Sequence, residues 1–305
     1  MSQPHPYPNP HPNLQASQSE VGSAGASAGD DPEIVLYSYL LSPFAAKVHC
    51  FLQYEGLRFE TVFVDPRRVR EELPLGRQIP VLRIGEELRN DSTPIGLWID
   101  ERFPERPPLL PRDPAARAAV LEVDSRVTQR LITLAFRTML ADGEPLLARI
   151  RNRRRGARAL HATVPGGLPL ALRILYPLIV SRPGFIRRQL ALAEPSRPLP
   201  ELQAVVRAEM WEQLAGGPFL GGQSEPSLAD LAAHPQLALP YRAGYVGAEH
   251  FLEDAVLVEW LERVDGLLDA TRPLLPAALV ERTLPWESGF SAGRGPSERV
   301  GGGNG

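Results

Sequence analysis

Hydrophobic and polar positions between residues 33 and 103 alternate between the period of a strand and that of a helix. The first stretch, Ile34–Tyr37, is rich in residues that favour pleated structure and predicts a strand. A helical pattern then runs over Pro43–Tyr54. Serine is preferred at a helix N-cap, and proline at the first helical position has no N–H to leave unsatisfied. We therefore expect a strand that leads into a helix, with the positive end of the helix at Ser42.

Three more strands are expected in this part of the chain. Arg58–Val64 alternates polar and apolar residues with period two, which is typical of a half-buried strand. A short helical segment over 65–73 follows, and Gln78–Ile84 then predicts a third strand. Glu87–Arg89 predicts a fourth strand, linked to the third by a tight turn, and a last helix runs over 91–103. The order indicates an α/β domain.

The rest of the chain has a helical pattern. A proline-rich linker over 104–114 marks a domain boundary. Helices are predicted beyond it at 115–140, 145–160, 164–192 (one or two short helices), 201–214, after Ser227, and at 253–268. The predicted organisation is a disordered tail over 1–32, an α/β domain over 33–103, the linker, a helical domain over 115–283, and a second disordered tail over 284–305.

A capping box starts one of these helices. Ser227 and Asp230 have the Ser-x-x-acid spacing that satisfies two N–H groups at a helix start, and we expect them to be structural. His234–Pro235 is expected to interrupt this helix early, because proline removes a backbone donor. His234 itself is expected to be an ordinary structural histidine.

Composition restricts the function classes. The 305 residues carry a net charge of −3, which argues against nucleic acid as a partner. The single cysteine, Cys50, allows no intramolecular disulfide and no zinc cluster, so we predict no metal site and a reducing, cytoplasmic location. Cys50 lies roughly 12 Å along the helix from Ser42, too far to act there, and is expected to be a small buried hydrophobe.

The helical region holds two stretches with open interpretations. The arginine-rich run Arg149–Arg158 favours a solvated helix face, with attraction of anionic substrates or membrane lipids as the alternative. The apolar run Val164–Val180 contains an arginine and several prolines and is shorter than the roughly 20 residues of a membrane span, so no membrane partner is expected. The wider segment 164–192 could line a substrate pocket, cover a dimer face or touch a membrane surface.

Three motifs in the first domain resemble those of the soluble glutathione transferases. They are LYSYLLSPFAAKV (Leu36–Val48), QIPVL (Gln78–Leu82) and DSTPI (Asp91–Ile95), in the family's order and on the expected elements. LYSY followed by serine resembles the zeta class, and Ser-Pro-Phe resembles the tau class and, with serine for cysteine, the omega class. The resemblance implies an α/β thioredoxin-like N-terminal domain followed by an all-α C-terminal domain, the glutathione transferase architecture.

The resemblance also implies the role of individual residues. Ser42 matches the serine that donates a hydrogen bond to the glutathione sulfur. Ile79 matches the residue whose backbone pairs with the cysteinyl part of the tripeptide, and Pro80 matches the family's cis-proline. Asp91 and Ser92 match the Glu-Ser pair that holds the γ-glutamyl amine and carboxylate, with Asp91 one methylene shorter than the commoner glutamate.

The implied reaction is attack of the bound glutathione thiolate on a small hydrophobic electrophile. Lowering a thiol pKa by about two units requires about 2.7 kcal/mol, which a helix N-terminus and a charge-assisted hydrogen bond can supply together. Glutathione is then a co-substrate, with no other cofactor, and a homodimer is expected. No side chain is assigned to the glycyl carboxylate, although Arg77 is in the vicinity.

Two alternatives stay open from the sequence. One is a non-catalytic glutathione-transferase-like binding protein in which Ser42 only caps its helix. The other is a membrane-surface protein whose segment 164–180 docks on lipid.

Overall fold

The computed structural model describes residues 32–288. A four-stranded mixed sheet with three helices forms its N-terminal part, residues 33–103, which we call the sheet half; the helices that follow form the helical half. The strand order is β2-β1-β3-β4, with bounds β1 (Ile34–Ser38), β2 (Glu60–Phe63), β3 (Val81–Ile84) and β4 (Glu87–Asn90). β1 pairs in parallel with β2 and antiparallel with β3, and β3 and β4 form a hairpin. The helices of this half are α1 (Pro43–Tyr54), α2 (Val69–Glu72) and α3 (Ser92–Arg102).

α1 lies at the centre of the molecule. It forms the crossover between the parallel strands β1 and β2, and it packs on α3 and on a helix of the C-terminal part, α10 (Leu228–Arg242). Phe51 and Leu52 are fully buried on it. Gly96 of α3 allows a close approach, because a Cβ there would lie 2.8 Å from Cε2 of Phe51 and 2.7 Å from Cδ1 of Leu228. A helix buried on several faces needs this kind of interlocking on each side.

The second half consists of helices. Their bounds are α4 (Pro114–Val127), a π-helical turn (Thr128–Ile132), α5 (Thr133–Leu140), α6 (Leu146–Thr163), α7 (Leu170–Ile179), α8 (Gly184–Leu192), α9 (Leu199–Leu214), α10 (Leu228–Arg242) and α11 (Ala255–Asp265). One apolar cluster joins the two halves, with Leu36 and Leu82 of the sheet and Val120 and Leu231 of the helices among its members. The predicted fold class, a thioredoxin-like sheet followed by helices, is confirmed.

The expected interruption of α10 at His234–Pro235 is wrong. The capping box is present, with Ser227 N donating to Asp230 Oδ2 at 3.0 Å, but the helix continues through Pro235 to Arg242. Every residue from 228 to 240 is buried, so packing on the neighbouring helices offsets the lost backbone hydrogen bond. His234 is buried as well, with Nε2 3.3 Å from Asp265 Oδ1, as a structural histidine.

The predicted tail boundary at 284 is also wrong. Leu284 is fully buried, and a 3₁₀ turn covers Pro285–Ser288. Trp286 Nε1 donates to Asp265 Oδ2 at 3.0 Å, which holds this turn on α11. The rest of the predicted C-terminal tail, 289–305, and the predicted N-terminal tail up to residue 31 lie outside the described residues.

Candidate functional site

Three loops meet at one edge of the sheet. Tyr37, near the end of β1, pairs with Val81, the first residue of β3. Val81 in turn pairs with Asn90, the last residue of β4. The residues that leave β1, enter β3 and leave β4 therefore share this edge. It brings together the neighbourhoods of the five predicted site residues, Ser42, Ile79, Pro80, Asp91 and Ser92.

Ser42 starts α1 at this edge. Its Oγ accepts a hydrogen bond from Ala45 N at 3.3 Å, and its own N donates to Tyr39 O at 2.9 Å. The side chain is partly exposed, and its hydroxyl proton can be donated while the oxygen accepts. The first turn of α1 carries no acidic residue in the sequence, so the partial positive charge of the helix end is not neutralised from within.

The loop before β3 presents backbone atoms to the same edge. The Ile79–Pro80 peptide bond is cis, as the family resemblance implies. The Ile79 side chain packs against a small apolar cluster that includes Val64 and Val81. Since the ladder of β3 begins at Val81, the Ile79 backbone lies outside it and is available to pair with an extended ligand.

α3 begins at this edge with an unusual backbone conformation. Asp91, the residue before the helix, has φ 71° and ψ 130°, a region that non-glycine residues rarely occupy and that costs roughly 1–3 kcal/mol. Its side chain is exposed, whereas Ser92 is buried. Such strain is found where a residue is held for a binding role, so it marks Asp91 as a functional candidate independently of any motif.

A buried polar cluster beneath Asp91 was not anticipated from the sequence. Lys47 of α1 forms an ion pair with Asp124 of α4, with Nζ 2.6 Å from Oδ1. Thr93 of α3 accepts from Lys47 Nζ at 2.8 Å and donates to Asp124 Oδ2 at 2.7 Å. Burial lowers the pKa of Lys47, while Asp124 and, more weakly, Asp91 oppose that shift. The one sequence signal was that Lys47 is the only lysine in a chain whose other basic residues are arginine.

Three aromatic side chains, from α1, α5 and α8, pack together near the start of α1. The Phe185 ring of α8 lies 6.3 Å from the Phe44 ring of α1 and 5.7 Å from the Phe136 ring of α5, measured between ring centroids. Phe44 is only two residues from Ser42. The three rings form an apolar wall that joins the sheet edge to the helical half.

The structure also places two further residues that the sequence analysis considered, Arg77 and Cys50. Arg77 lies exposed in the loop before Ile79. Cys50 is fully buried on α1, and burial raises the pKa of its thiol far above the ordinary range. A thiol in that state is not a nucleophile at neutral pH, so the prediction that Cys50 acts as a small hydrophobe is confirmed.

The sheet half matches a known family. Residues 36–107 match the model described as the N-terminal domain of glutathione S-transferase. Glutathione S-transferase Z1 of Arabidopsis thaliana is 36% identical over 100 residues, which are 30% of this chain and 44% of that protein. Glutathione S-transferase 1 of Dianthus caryophyllus is 34% identical over 113 residues, 34% of this chain and 50% of that protein. The chain thus spans about half the length of these relatives.

Solved structures are similar over both halves. A glutathione S-transferase from Rhodospirillum rubrum has a TM-score of 0.53 at 21% identity and covers 83% of this chain and 94% of its own. A human theta-class glutathione transferase, in complex with the glutathione conjugate of 1-menaphthyl sulfate, has a TM-score of 0.52 at 20% identity and covers 78% of this chain and 83% of its own. At this level of identity the likeness shows the shared fold.

Proposed function

We propose that this protein is a glutathione transferase, because residues 36–107 match the N-terminal domain of that family and the described chain shares the fold of a solved member. In the proposed reaction, glutathione binds at the sheet edge and its thiolate attacks a small hydrophobic electrophile. The new bond joins sulfur to the electrophilic carbon while the bond from that carbon to its leaving group breaks. The leaving group departs with the electron pair, and the thiol proton has already been released to solvent.

One observation carries the proposal. The N-terminus of α1, the Ile79–Pro80 loop before β3 and the strained Asp91 lie at one edge of the sheet. These features complement the cysteinyl and γ-glutamyl parts of the tripeptide. The Ile79 backbone would pair with the cysteinyl residue, and Pro80 holds that loop. Asp91 and Ser92 would bind the γ-glutamyl amine and carboxylate, the first as a counter-charge and the second as a hydroxyl donor.

Ser42 has the role of a thiolate donor in this proposal. Its oxygen accepts from Ala45 N, which orients the hydroxyl, and its proton is available for the sulfur anion. Together with the positive end of α1, this favours the thiolate form and lowers the pKa of the bound thiol. Serine does not act as a base here, and the acceleration comes from stabilising the anion.

The second substrate would bind against the aromatic wall. Phe44, two residues from Ser42 in the chain, and the exposed Phe185 would offer ring surface to an apolar or aromatic electrophile, with the buried Phe136 packed against Phe185. α8, which carries Phe185, belongs to the helical half, so that half would set the preference for the electrophile. We further propose a cytoplasmic homodimer, from the family resemblance and the single buried cysteine.

The test is glutathione binding by calorimetry together with thiolate absorbance of the complex at neutral pH. We expect binding with a thiolate signal in the native protein, and loss of the signal with about 100-fold slower turnover in Ser42→Ala. Asp113→Ala is the matched control, since Asp113 caps α4 in the same way and accepts from Ala116 N at 2.8 Å. It removes a helix cap of similar value at a distance from the candidate site.

The same experiment judges the non-catalytic alternative. The contact from Ala45 N to Ser42 Oγ is also what a simple helix cap requires. If glutathione binds without a thiolate signal, and Ser42→Ala changes only stability, as Asp113→Ala does, the protein is a glutathione-binding protein without transferase chemistry.

A further inference from the structure

α7 presents its apolar side to solvent. Leu170, Ile174 and Leu178 recur every four residues and are 69%, 66% and 65% exposed. Residues four apart lie on one face of a helix, so these side chains form a continuous stripe. An ordinary surface helix has the opposite arrangement, with its apolar stripe turned to the core. We call this stripe the α7 face.

The α7 face is held firmly in place from its other side. α6 and α7 form an antiparallel hairpin, since Arg153 of α6 donates from Nη1 to Pro177 O at 2.9 Å. A Cβ on Gly156 of α6 would lie 3.2 Å from the Tyr176 ring, so the two helices also approach closely one turn further along. Leu146 and Leu147, at the start of α6, are exposed at the same end of the hairpin as Leu178.

The charge of this region differs from that of the whole chain. Residues 145–193 contain ten arginines and no aspartate or glutamate. The chain has a net charge of −3, so its remaining residues carry −13. Arg155 and Arg158 pair with Glu281. Arg153 is buried and donates to the backbone carbonyls of Leu140 and Pro177. The exposed arginines of the region are Arg151, Arg154, Arg158, Arg173, Arg182, Arg187 and Arg188.

We propose that the α7 face docks the protein on an anionic phospholipid surface. Leucine and isoleucine side chains would enter the boundary between headgroups and acyl chains, while the neighbouring arginines contact the phosphates and anionic headgroups. The docked helix lies along the surface. None of the helices between residues 32 and 288 is long and apolar enough to cross a membrane.

Charge is the reason for choosing lipid over a second copy of the chain. A two-fold contact of the α7 face with itself would bring two sets of arginines together without an acidic residue between 145 and 193 to neutralise them. An anionic surface neutralises the arginines and buries the apolar stripe at once. The sequence alone favours a solvated face for Arg149–Arg158, but a solvated face does not account for the leucines of α7.

Docking would also bring the candidate site close to the lipid. α8 follows α7 after four residues, and its Phe185 packs on Phe44 beside Ser42. Vesicle binding needs no turnover and no glutathione, however, so its outcome is independent of the proposed transferase activity.

The test is co-sedimentation of the full chain with vesicles. We expect the protein to sediment with vesicles of phosphatidylcholine mixed with phosphatidylserine, to stay in solution with phosphatidylcholine alone, and to be released by salt. The triple variant Leu170→Ser, Ile174→Ser, Leu178→Ser should bind at least about tenfold more weakly. Its control replaces two exposed apolar residues elsewhere, Val256→Ser and Leu267→Ser, and should bind like the native protein.

A second pair of variants tests the charge with equal changes in net charge. The variant with glutamine at Arg173, Arg182, Arg187 and Arg188 should lose at least about tenfold in binding to the mixed vesicles. The control has glutamine at four exposed arginines outside the region, namely Arg58, Arg70, Arg102 and Arg112, and should bind normally.

Three results would overturn the proposal. One is a native protein that stays in solution with the mixed vesicles at low salt. Another is equal binding by the region variant and its charge control. The third concerns the triple variant: light scattering finds it monomeric where the native protein is a dimer, and its sedimentation with vesicles is unchanged. That result would make the α7 face a contact between copies of the chain. Circular dichroism melts establish that each variant is folded.

Discussion

Lys47 and Asp124 form an ion pair that is shielded from solvent where the sheet half meets the helical half. Lys47 Nζ lies 2.6 Å from Asp124 Oδ1, and both side chains are buried. Thr93 completes the cluster by contacting both partners. Because Thr93 follows Ser92 at the start of α3, the pair supports the floor of the candidate glutathione site.

Removing one partner of this pair should strongly destabilise the protein. Lys47→Met and Asp124→Asn should each lower the free energy of unfolding by about 3–5 kcal/mol, because each leaves a buried polar partner uncompensated. The double variant Lys47→Met, Asp124→Leu should be much less destabilised than the sum of the single effects. Urea unfolding measures all three. The control is Arg68→Gln, which breaks an exposed pair with Glu71 and should leave the free energy of unfolding nearly unchanged. A cost for Lys47→Met no greater than that of Arg68→Gln would contradict the expectation.

Substitution of Asp91 should affect the stability of the fold and the binding of glutathione in different ways. Asp91→Gly should leave the stability unchanged or raise it, because glycine adopts a φ of 71° without strain. The same change should weaken glutathione binding by about tenfold to 100-fold through loss of the counter-charge. Asp91→Asn keeps the backbone preference and removes only the charge, so it should reproduce the weaker binding. Calorimetry and thermal melts provide the two measurements; unchanged affinity in both variants would exclude Asp91 from the site.

Glu55 should make stability fall as the pH rises. Its side chain is buried, and within the described chain its Oε2 has no hydrogen-bond partner. Burial, and next the carboxylates of Asp100 and Glu105, raise the pKa of Glu55 from 4.5 to about 8. The folded protein therefore keeps a proton that the unfolded chain releases, so this stabilisation is complete below about pH 4.5 and is lost as the pH rises to about 8.

Glu55→Gln removes this dependence. The variant should match the native protein near pH 4.5 and be more stable by about 2 kcal/mol near pH 8, after allowance for solvent screening. Urea unfolding across this pH range is the measurement. Glu60→Gln, at an exposed position on β2, is the control and should have no such pH-dependent effect. Parallel stability curves for native protein and Glu55→Gln would disprove the assignment.

Phe185 should influence the electrophile and not glutathione. Phe185→Ala opens the aromatic wall and should raise KM for an apolar electrophile by about tenfold, with the glutathione Kd unchanged. Trp211→Ala on α9 is a suitable control, since Trp211 is 45% exposed and Phe185 40%. Steady-state kinetics with each substrate varied in turn gives both values. A rise in the glutathione Kd without a change in the electrophile KM would place Phe185 in the glutathione subsite and contradict the prediction.

The close packing at Gly96 predicts a cost for the smallest side chain. Gly96→Ala should destabilise the protein by about 1–3 kcal/mol, because the new methyl group would overlap Leu228 and Phe51. Gly184→Ala at the start of α8 is the control, as a Cβ there would meet no described atom within 4 Å. Thermal melts of both variants are the measurement. Equal destabilisation by Gly96→Ala and Gly184→Ala would contradict a specific clash at Gly96.

The sequence predicted most of the sheet half because its signals are local. Ser42-Pro43 starts α1, and the alternation in Arg58–Val64 contains β2, although the paired strand is only Glu60–Phe63. The cis bond at Pro80 was accessible only through the family resemblance. The predictions that failed concerned tertiary packing. Pro235 does not end α10, because that helix is buried on every side.

The parts of the site that sequence missed depend on contacts between distant segments. Lys47 and Asp124 are 77 positions apart, and no local sequence pattern indicates that these two side chains pair. Phe185 joins Phe44 and Phe136 only once α8 packs on α5. The site roles of Ser42, Ile79, Pro80, Asp91 and Ser92 remain predictions, and the experiments above test those of Ser42 and Asp91.

The cluster of Lys47, Thr93 and Asp124 restricts how such a protein can be recombined. A cation in the N-terminal half is neutralised by a carboxylate in the C-terminal half, so neither half is self-sufficient at the joint. A chimaera that joins this N-terminal half to another helical domain would inherit an unneutralised buried lysine unless its new partner supplies an acid at the same place. The two halves are therefore not interchangeable modules, and exchange of the helical half is open only to partners that match at this one contact.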